Sequence, residues 1–165
     1  MYICFEGMKE LIDDLEKTDN VEHLLDTCFF VNCFKTDKVK KLIEFCEQNN
    51  VGMSSFNLEE FSFIHHHFKG HMNHHVRDFF KRKILKCVPV SVSPGNHEAE
   101  REYVKKFDEE ILRIVTDASD AVVFALSAKI NAVLLTKDKH HIFTANAENY
   151  LNKYNINVLN EFPHD

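Results

Sequence analysis

Apolar residues occur along the chain in two patterns, which predict two kinds of element. Short apolar runs bounded by turn residues predict strands, and apolar residues spaced three or four apart predict helices. The predicted strands lie within VEHLLDTCFF, VGMSSF, VPVSV, AVLLT and INVLN, which are residues 21–30, 51–56, 88–92, 132–136 and 156–160. The helical segments between them include a long helix over residues 97–115 (HEAEREYVKKFDEEILRIV), and the order is β-α-β-α-α-β-α-α-β-α-β. This order predicts an α/β fold with a parallel sheet.

An amphipathic helix is predicted ahead of the first strand, over residues 8–17 (MKELIDDLEK). Four apolar residues share one of its faces: Met8, Leu11, Ile12 and Leu15. That face either packs on the chain's own domain, which we favour, or serves as a docking or dimer surface. The rest of the chain has no linker, repeat or change of composition. We therefore expect a helical extension over residues 1–20 and a single domain over residues 21–165.

The most informative stretch is TDASDAVVFALSAKINAVLLTKD, residues 116–138. Asp117 and Asp120 stand at the start of an apolar helix, and Asp138 follows the strand AVLLT. In a parallel sheet the strand-to-helix junctions open on one edge, where ligands bind. We therefore expect Asp120 and Asp138 to meet there. Carboxylates in contact repel each other unless a hard cation holds them together.

Two further acids occupy corresponding places earlier in the chain. Asp26 ends the first predicted strand, and Glu60 lies in the first turn of a helix that we expect Asn57 to cap. Each has a simpler explanation, because Asp26 could cap the next helix and the helix dipole favours acids in a first turn. With Asp120 and Asp138 they make a cluster at one edge. Such a cluster suits one or two Mg²⁺ or Mn²⁺ ions, which would activate water against a phosphodiester.

Residues 65–75 are rich in histidine and carry His65, His66, His67, His71, His74 and His75. His67, His71 and His75 recur every four residues and would share one helical face, as in a transition-metal site. We favour a solvated helix face or a hairpin of helices instead, because Gly70 and Asn73 weaken the helix.

A basic cluster follows the histidines and consists of Arg77, Lys81, Arg82, Lys83 and Lys86. Phe79 and Phe80 lie inside it, so the backbone phosphates of a nucleic acid are a candidate partner. On charge alone, a solvated helix explains the cluster equally well.

Length and composition set broader bounds. The chain of 165 residues is long enough for one domain with a sizeable core. Its net charge of −6 argues against a surface that binds nucleic acid all over, but not against a local basic track. Five cysteines without CxxC spacing favour reduced thiols in a cytoplasmic protein. No apolar run could cross a bilayer and the N-terminus is too acidic for a signal peptide, so we expect no membrane partner.

Four motifs, in order, resemble those of the PIN-domain ribonucleases, and among these the VapC-type toxins of toxin–antitoxin pairs. LLDTCFF resembles the first-strand motif, an Asp followed by Thr or Ser. FNLEEF resembles the second motif and assigns Glu60 rather than Glu59. SDAVVFALSAKINAVLLTKD resembles the third and fourth motifs together, and INVLNEF resembles the closing strand. The likeness runs from Val21 to Asn160, with departures at the N-terminal helix, at Cys28 and in the histidine-rich segment.

The resemblance implies a five-stranded parallel sheet flanked by helices and a metal-dependent cut in RNA. The residues it assigns to Mg²⁺ or Mn²⁺, directly or through water, are all acids: Asp26, Glu60, Asp120 and Asp138. Asp117 fits an extra acid that some members of the family carry. Thr27 and Thr136 would tune the site through hydrogen bonds, although either could simply satisfy local backbone groups.

The leading expectation is therefore an endoribonuclease whose acids hold the ion while the cluster from Arg77 to Lys86 grips RNA. This expectation fits the toxin of a toxin–antitoxin pair, held by an antitoxin protein, and equally an RNA-processing or turnover nuclease. A homodimer is expected from the resemblance. Two alternatives are a non-catalytic PIN-like module that binds RNA or protein, and a metal-binding protein built on the histidines.

Overall fold

The computed structural model describes the backbone of residues 3–142 and 144–163, and the side chains in those ranges from Gly7 onward. The strands in this part of the chain are β1 (His23–Leu25), β2 (Val51–Ser54), β3 (Lys86–Val88), β4 (Val133–Leu135) and β5 (Val158–Leu159). They pair in parallel in the order β3-β2-β1-β4-β5. The predicted five-stranded parallel sheet is confirmed.

Helices connect the strands and cover both faces of the sheet, as predicted. They are α1 (Ile3–Asp13), α2 (Thr27–Lys35), α3 (Val39–Gln48), α4 (Ser55–Ile64), α5 (Gly70–Lys81), α6 (His97–Phe107), α7 (Ile111–Ile114), α8 (Ala118–Ile130) and α9 (Ala145–Asn152). A 3-10 turn, His65–His67, lies between α4 and α5. Helices α1 to α5 pack chiefly on one face, and α6 to α9 pack on the other. No helix in the described ranges is long and apolar enough to span a membrane.

The central strand is β1, and the chain leaves it in two directions. It runs outward from β1 to β2 and β3, and then returns through α6, α7 and α8 to β4 on the other side of β1. The neighbouring strands β1 and β4 therefore mark the point where the strand order reverses. In open parallel sheets, the crevice at the carboxyl ends of such strands is where ligands bind.

Helix α8 is buried on nearly all sides. Every residue from Ala121 to Ala128 is buried, and the alanines among them allow the helix to approach the sheet closely. Asp117 caps its start, because its Oδ1 accepts the backbone N–H of Asp120 at 3.1 Å. Asn131 ends the helix in the left-handed conformation, at a φ of 59°. The helix predicted to open on Asp117 and Asp120 is therefore present.

The first predicted strand is too long. It stops at Leu25 rather than at Phe30, because Asp26 caps α2 and the chain turns helical at Thr27. Asp26 therefore follows the strand, and it is also the cap that the sequence offered as an alternative.

Three other boundaries differ from the prediction. The helix that carries Glu60 is capped by Ser54, so Asn57 lies in its first turn and is not the cap. The third strand ends at Val88, where the predicted strand VPVSV would have begun. The long helix predicted over residues 97–115 is interrupted at Asp108, which ends α6.

The N-terminal segment is integrated into the domain. Met8 of α1 is fully buried, and Leu15 is almost so, in the same core as α2 to α5. Lys17 then pairs with Cys87 of β3 through backbone hydrogen bonds. Of the two roles considered for this helix, packing on its own domain is the one observed.

Candidate active site

The acids singled out in the sequence lie at the carboxyl edge of the sheet. Asp26 follows β1 and Asp138 follows β4, so these two flank the reversal point. Glu60 lies on α4 and Asp120 in the first turn of α8, which Asp117 caps. The charges of Asp26 and Asp117 raise the pKa of both Glu60 and Asp120. The structure therefore brings the five acids into one electrostatic neighbourhood.

Asp26 is the most buried of the five, with only 5% of its surface exposed. Its Oδ1 accepts the backbone N–H of Thr27 at 2.8 Å and the side-chain amide of Asn57 at 3.3 Å. Its Oδ2 accepts the hydroxyl of Thr136 at 2.8 Å and the thiol of Cys28 at 3.1 Å. Burial raises the pKa of Asp26, and the bonds from Cys28, Thr136 and Thr27 oppose that rise. These four donors use the roughly four acceptor positions of a carboxylate.

Asp120 and Asp138 form a hydrogen-bonded carboxyl pair. Burial is the main cause that raises the pKa of Asp120 to about 8, and the bond to Asp138 adds to it. Burial would also raise the pKa of Asp138, but the N–H of His140 and the bond to Asp120 lower it overall. Oδ1 of Asp138 accepts the backbone N–H groups of His140 at 2.9 Å and of His141 at 3.3 Å. The two carboxyl groups therefore titrate as a pair, with one pKa raised and the other lowered.

The two threonines tie these acids to one another. Burial raises the pKa of Glu60, and a hydrogen bond with Thr27 opposes the rise. The hydroxyl of Thr136 donates to Asp26 and accepts the backbone N–H of Asp138 at 3.1 Å. Thr136 thus links Asp26 to Asp138. The backbone N–H of Thr27 donates to Asp26, and its hydroxyl donates to the backbone carbonyl of Asn57 at 3.3 Å.

Asn57 is a site residue that the sequence pattern did not reveal. It is 2% exposed, and its amide donates to Thr27 Oγ1 at 3.0 Å as well as to Asp26. Its own side-chain oxygen accepts the hydroxyl of Ser54. A signal was available, because serine is a preferred helix cap and Ser54 directly precedes this helix. It would have placed Asn57 in the first turn of α4.

Cys28 contributes a neutral thiol to the site. Burial raises its pKa to about 12, and the charge of Asp26 adds to that effect. Its sulfur donates to Asp26 and accepts the backbone N–H of Lys137 at 3.2 Å. Cys28 therefore connects α2 to the segment that follows β4, between the two strand-end acids.

A sixth acid at this edge, Glu100, was not anticipated from the sequence. Its side chain is fully buried, accepts the hydroxyl of Ser119 at 3.2 Å and lies 2.8 Å from Nδ1 of His97. Its charge raises the pKa of Glu60. Glu100 therefore fixes α6 to the first turn of α8. Its position four residues before the buried Val104 puts both on one helical face, which was a usable signal.

Negative charge is concentrated at this edge of the sheet. Across the described ranges, no lysine or arginine forms an ion pair with any of the five predicted acids. Lys137, the neighbour of Asp138 in sequence, pairs with Glu161 at 2.7 Å instead. Among residues 3–142 and 144–163, no three Asp, Glu, His or Cys side chains are already arranged as ligands around one metal ion.

The basic cluster predicted to bind RNA lies at the opposite edge. Lys86 begins β3, and its Nζ donates to the side chain of Asn50, which directly precedes β2. Lys83 pairs with Asp14, just after α1, at 3.8 Å. Because all strands run in parallel, their first residues mark the amino edge and the acids mark the carboxyl edge.

The remaining residues of that cluster belong to α5 and its end. Arg77 lies against α1, where a Cβ added at Gly7 would be 3.0 Å from its guanidinium group. Lys81 and Arg82 are exposed at the end of α5. The structure therefore separates the basic cluster from the acids, and RNA bound at one would have to cross the domain to reach the other.

The expected histidine face is divided between two elements. His67 belongs to the 3-10 turn, whereas His71 and His75 belong to α5, which begins only at Gly70. The prediction that these three share one helical face is wrong, because the helix does not extend back to His67.

No family model, curated protein or solved structure matches the chain. The fold class and the positions of the acids are therefore known from the structure of this chain and not from a relative. What can be inferred about its chemistry depends on the residues of the carboxyl edge.

Proposed function

We propose that this protein is a metal-dependent endoribonuclease that hydrolyses phosphodiester bonds in RNA, with Mg²⁺ or Mn²⁺ as its cofactor. One observation carries the proposal. Five carboxylates converge where the strand order reverses, and no lysine or arginine of the described residues pairs with them. The likeness of four sequence motifs to the PIN-domain ribonucleases, VapC-type toxins among them, supports RNA as the substrate.

The donors of this edge fit a hard divalent cation. The five predicted acids offer carboxylate oxygens, the ligand type that Mg²⁺ and Mn²⁺ prefer. Burial and the neighbouring Asp138 together raise the pKa of Asp120, so this pair is where a dication is most favourable. Glu60 and Asp117 lie within electrostatic reach of the pair. A bound cation would lower the pKa of a water molecule and offset the charge of the phosphate.

Asp26 has a different part in the proposal, because its oxygens already accept four hydrogen bonds. It orients Thr136, and Thr136 in turn fixes the backbone of Asp138. Direct contact of Asp26 with a cation requires one donor to turn away. The Cys28 thiol is the weakest of the four donors, so it is the one to move.

The phosphate contacts of the RNA are proposed for the segment after β4 rather than for the cluster from Arg77 to Lys86. Lys139 and His140 are exposed there, directly beyond Asp138. Lysine and histidine side chains at the acid edge can hold the backbone of the strand that is cut, whereas the distant cluster can hold only a longer RNA that crosses the domain.

In the cell, the protein acts either as the toxin of a toxin–antitoxin pair, held by an antitoxin protein, or as an RNA-processing nuclease. We place the protein in the cytoplasm, where its thiols stay reduced. The described cysteines are free, which agrees with that compartment: Cys28, Cys33, Cys46 and Cys87. A homodimer is part of the proposal.

Asp120→Asn is the decisive variant, because it removes one negative charge and keeps the side-chain volume. Its Mn²⁺-dependent cleavage of an end-labelled single-stranded RNA should fall by more than the roughly 10–100-fold that loss of an outer-shell partner costs. Asp19→Asn is the matched control, since Asp19 is exposed and lies in the segment before β1. It should cut like the parent. Circular dichroism and thermal melting establish that both variants fold.

The same assay tests the substrate and the cofactor. A DNA of the same sequence should stay intact, and EDTA should stop cleavage until Mn²⁺ or Mg²⁺ is restored. Cleavage by Asp120→Asn at the parent rate would move the reaction away from this edge. If the parent binds RNA but does not cut it with any divalent cation, the result would favour the alternative of a non-catalytic module that binds RNA.

A further inference from the structure

A second group of metal-binding side chains lies away from the acids, in a cleft of about 280 Å³. The cleft is formed by α5 and the turn that follows α2. Helix α5 contributes His71, Met72 and His75, the last residue of α2 contributes Lys35, and the turn contributes Asp37. These residues take no part in the proposed nuclease reaction.

His71 and His75 are placed to act together. Residues four apart on a helix lie on the same face, with Cβ atoms about 5–6 Å apart. The two imidazole rings are nearly perpendicular, with centroids 6.4 Å apart, and both side chains are exposed. Two histidines at this spacing are the pair that binds zinc in helical metal sites.

The neighbouring histidines are engaged differently. His74, on another face of α5, lies 3.2 Å from the carboxylate of Asp78. The rings of His66 and His67 contact each other in the 3-10 turn, with centroids 4.0 Å apart and an interplanar angle of 41°. Of the histidines in this segment, His71 and His75 are the ones that line the cleft.

We infer that His71 and His75 form a chelating site for a late first-row divalent cation: Cu²⁺, Ni²⁺ or Zn²⁺. With metal–nitrogen distances of about 2 Å, the ring centroids must approach to about 5 Å to share one ion. Exposed side chains make that movement by rotation. Water completes the coordination of the ion. The negative charge of Asp37 in the cleft favours binding of the cation, whereas the positive charge of Lys35 disfavours it.

The ligand type separates this site from the acid edge. Imidazole nitrogens favour copper, nickel and zinc, with copper bound most tightly, whereas carboxylates suit Mg²⁺ and Mn²⁺. Excess Mg²⁺ should therefore leave the histidine site available. The site is independent of the proposed nuclease function, and either could fail without the other.

The test is a calorimetric titration of the full chain, prepared without a polyhistidine tag, with Ni²⁺ in excess Mg²⁺. The parent should bind one equivalent tightly. The double variant H71A/H75A should weaken that binding by more than the roughly 10–100-fold that loss of an outer-shell partner costs. The matched control H66A/H67A also removes two adjacent imidazoles and should bind like the parent. Asp120→Asn should bind Ni²⁺ unchanged.

Electron paramagnetic resonance of the Cu²⁺ form gives a second measurement. Coupling to two imidazole nitrogens is expected in the parent and should disappear in H71A/H75A. The inference is overturned if H71A/H75A binds Ni²⁺ like the parent, if H66A/H67A loses the tight equivalent, or if Mg²⁺ competes for it.

Discussion

The two faces of the sheet are covered in different ways. The face under α1 to α5 is filled with phenylalanine rings, most of which meet edge to face: Phe29, Phe30, Phe34, Phe45, Phe61, Phe79, Phe80 and Phe162. Phe30 lies at their centre, and its ring centroid is between 5.0 and 5.6 Å from four others. The opposite face is covered mainly by aliphatic side chains and by the alanines of α8.

The difference matters because the candidate active site draws on both layers. Asp26 and Glu60 belong to helices of the aromatic layer, whereas Asp120 and Glu100 belong to helices of the aliphatic layer. Packing of the aromatic rings depends on their shape, and it fixes the positions of Asp26 and Glu60. Close approach of a helix built from small residues fixes the second pair. The distances between the acids therefore report whether the two layers keep their relative position.

The largest loss of stability is expected from Phe30→Ala. Phe30 is 0% exposed, and the cavity left by its ring is bounded by other rings that cannot close it. We expect the free energy of unfolding to fall by about 3–5 kcal/mol. Denaturant unfolding followed by circular dichroism measures the change. Phe63→Ala is the control, because Phe63 is 54% exposed and its loss should stay within about 0.5 kcal/mol. Equal losses for the two variants would contradict a cohesive aromatic layer.

A smaller loss is expected from Ala125→Leu in the opposite layer. Ala125 is 1% exposed, and a larger side chain would push α8 away from the sheet. Overpacking of this kind costs about 1–3 kcal/mol. Lys129→Leu places the same side chain at an exposed position of the same helix and should change stability by about 0.5 kcal/mol at most. A stabilised Ala125→Leu protein would mean that α8 is loosely packed.

The smallest effect concerns the junction of the two layers and depends on pH. The pKa of Asp120 is raised from 3.8 to about 8, so the folded chain keeps a proton that the unfolded chain has released. Stability should therefore fall as pH rises from about 4 to about 8. The coupling of Asp120 to Asp138 and the partial exposure of both groups reduce the net change to roughly 1 kcal/mol, or about 2–4 °C in melting temperature.

Asp120→Asn should flatten this pH profile in metal-free buffer. Melting temperatures measured in EDTA at several pH values from 4 to 8 give the comparison, with Asp19→Asn expected to follow the parent. Parallel profiles for the parent and Asp120→Asn would show that the carboxyl pair is not what couples stability to pH.

Much of this arrangement could be predicted from local sequence. Short apolar runs and periodic helices fix the element order, and acids at strand ends and helix starts must then share one edge. The position of Lys86 was also predictable, because a residue that begins a parallel strand lies at the amino edge. Charge composition suggested RNA binding for its cluster, but composition does not say to which edge a residue belongs.

Other features depend on packing that local sequence does not encode. Helix α6 carries Glu98, Glu100 and Glu102 in alternation, and only Glu100 is buried, against Ser119 of α8. The contact of Asp120 with Asp138 needs both layers in place, since the two residues come from α8 and from the segment after β4. The end of the first strand was misplaced because its apolar run continues into α2, and only the cap at Asp26 separates them.

The backbone bridge between Lys17 and Cys87 has a consequence for shortened forms of the protein. β3 is the outermost strand on its side of the sheet, and its free N–H and C=O groups at Cys87 are taken up by Glu16 and Thr18. An uncovered outer strand is a template for strand addition by another polypeptide, which leads to domain exchange or fibrils. A chain that began at Val21 would offer that template to its neighbours. The N-terminal segment thus covers the part of β3 that would otherwise be open to strand addition.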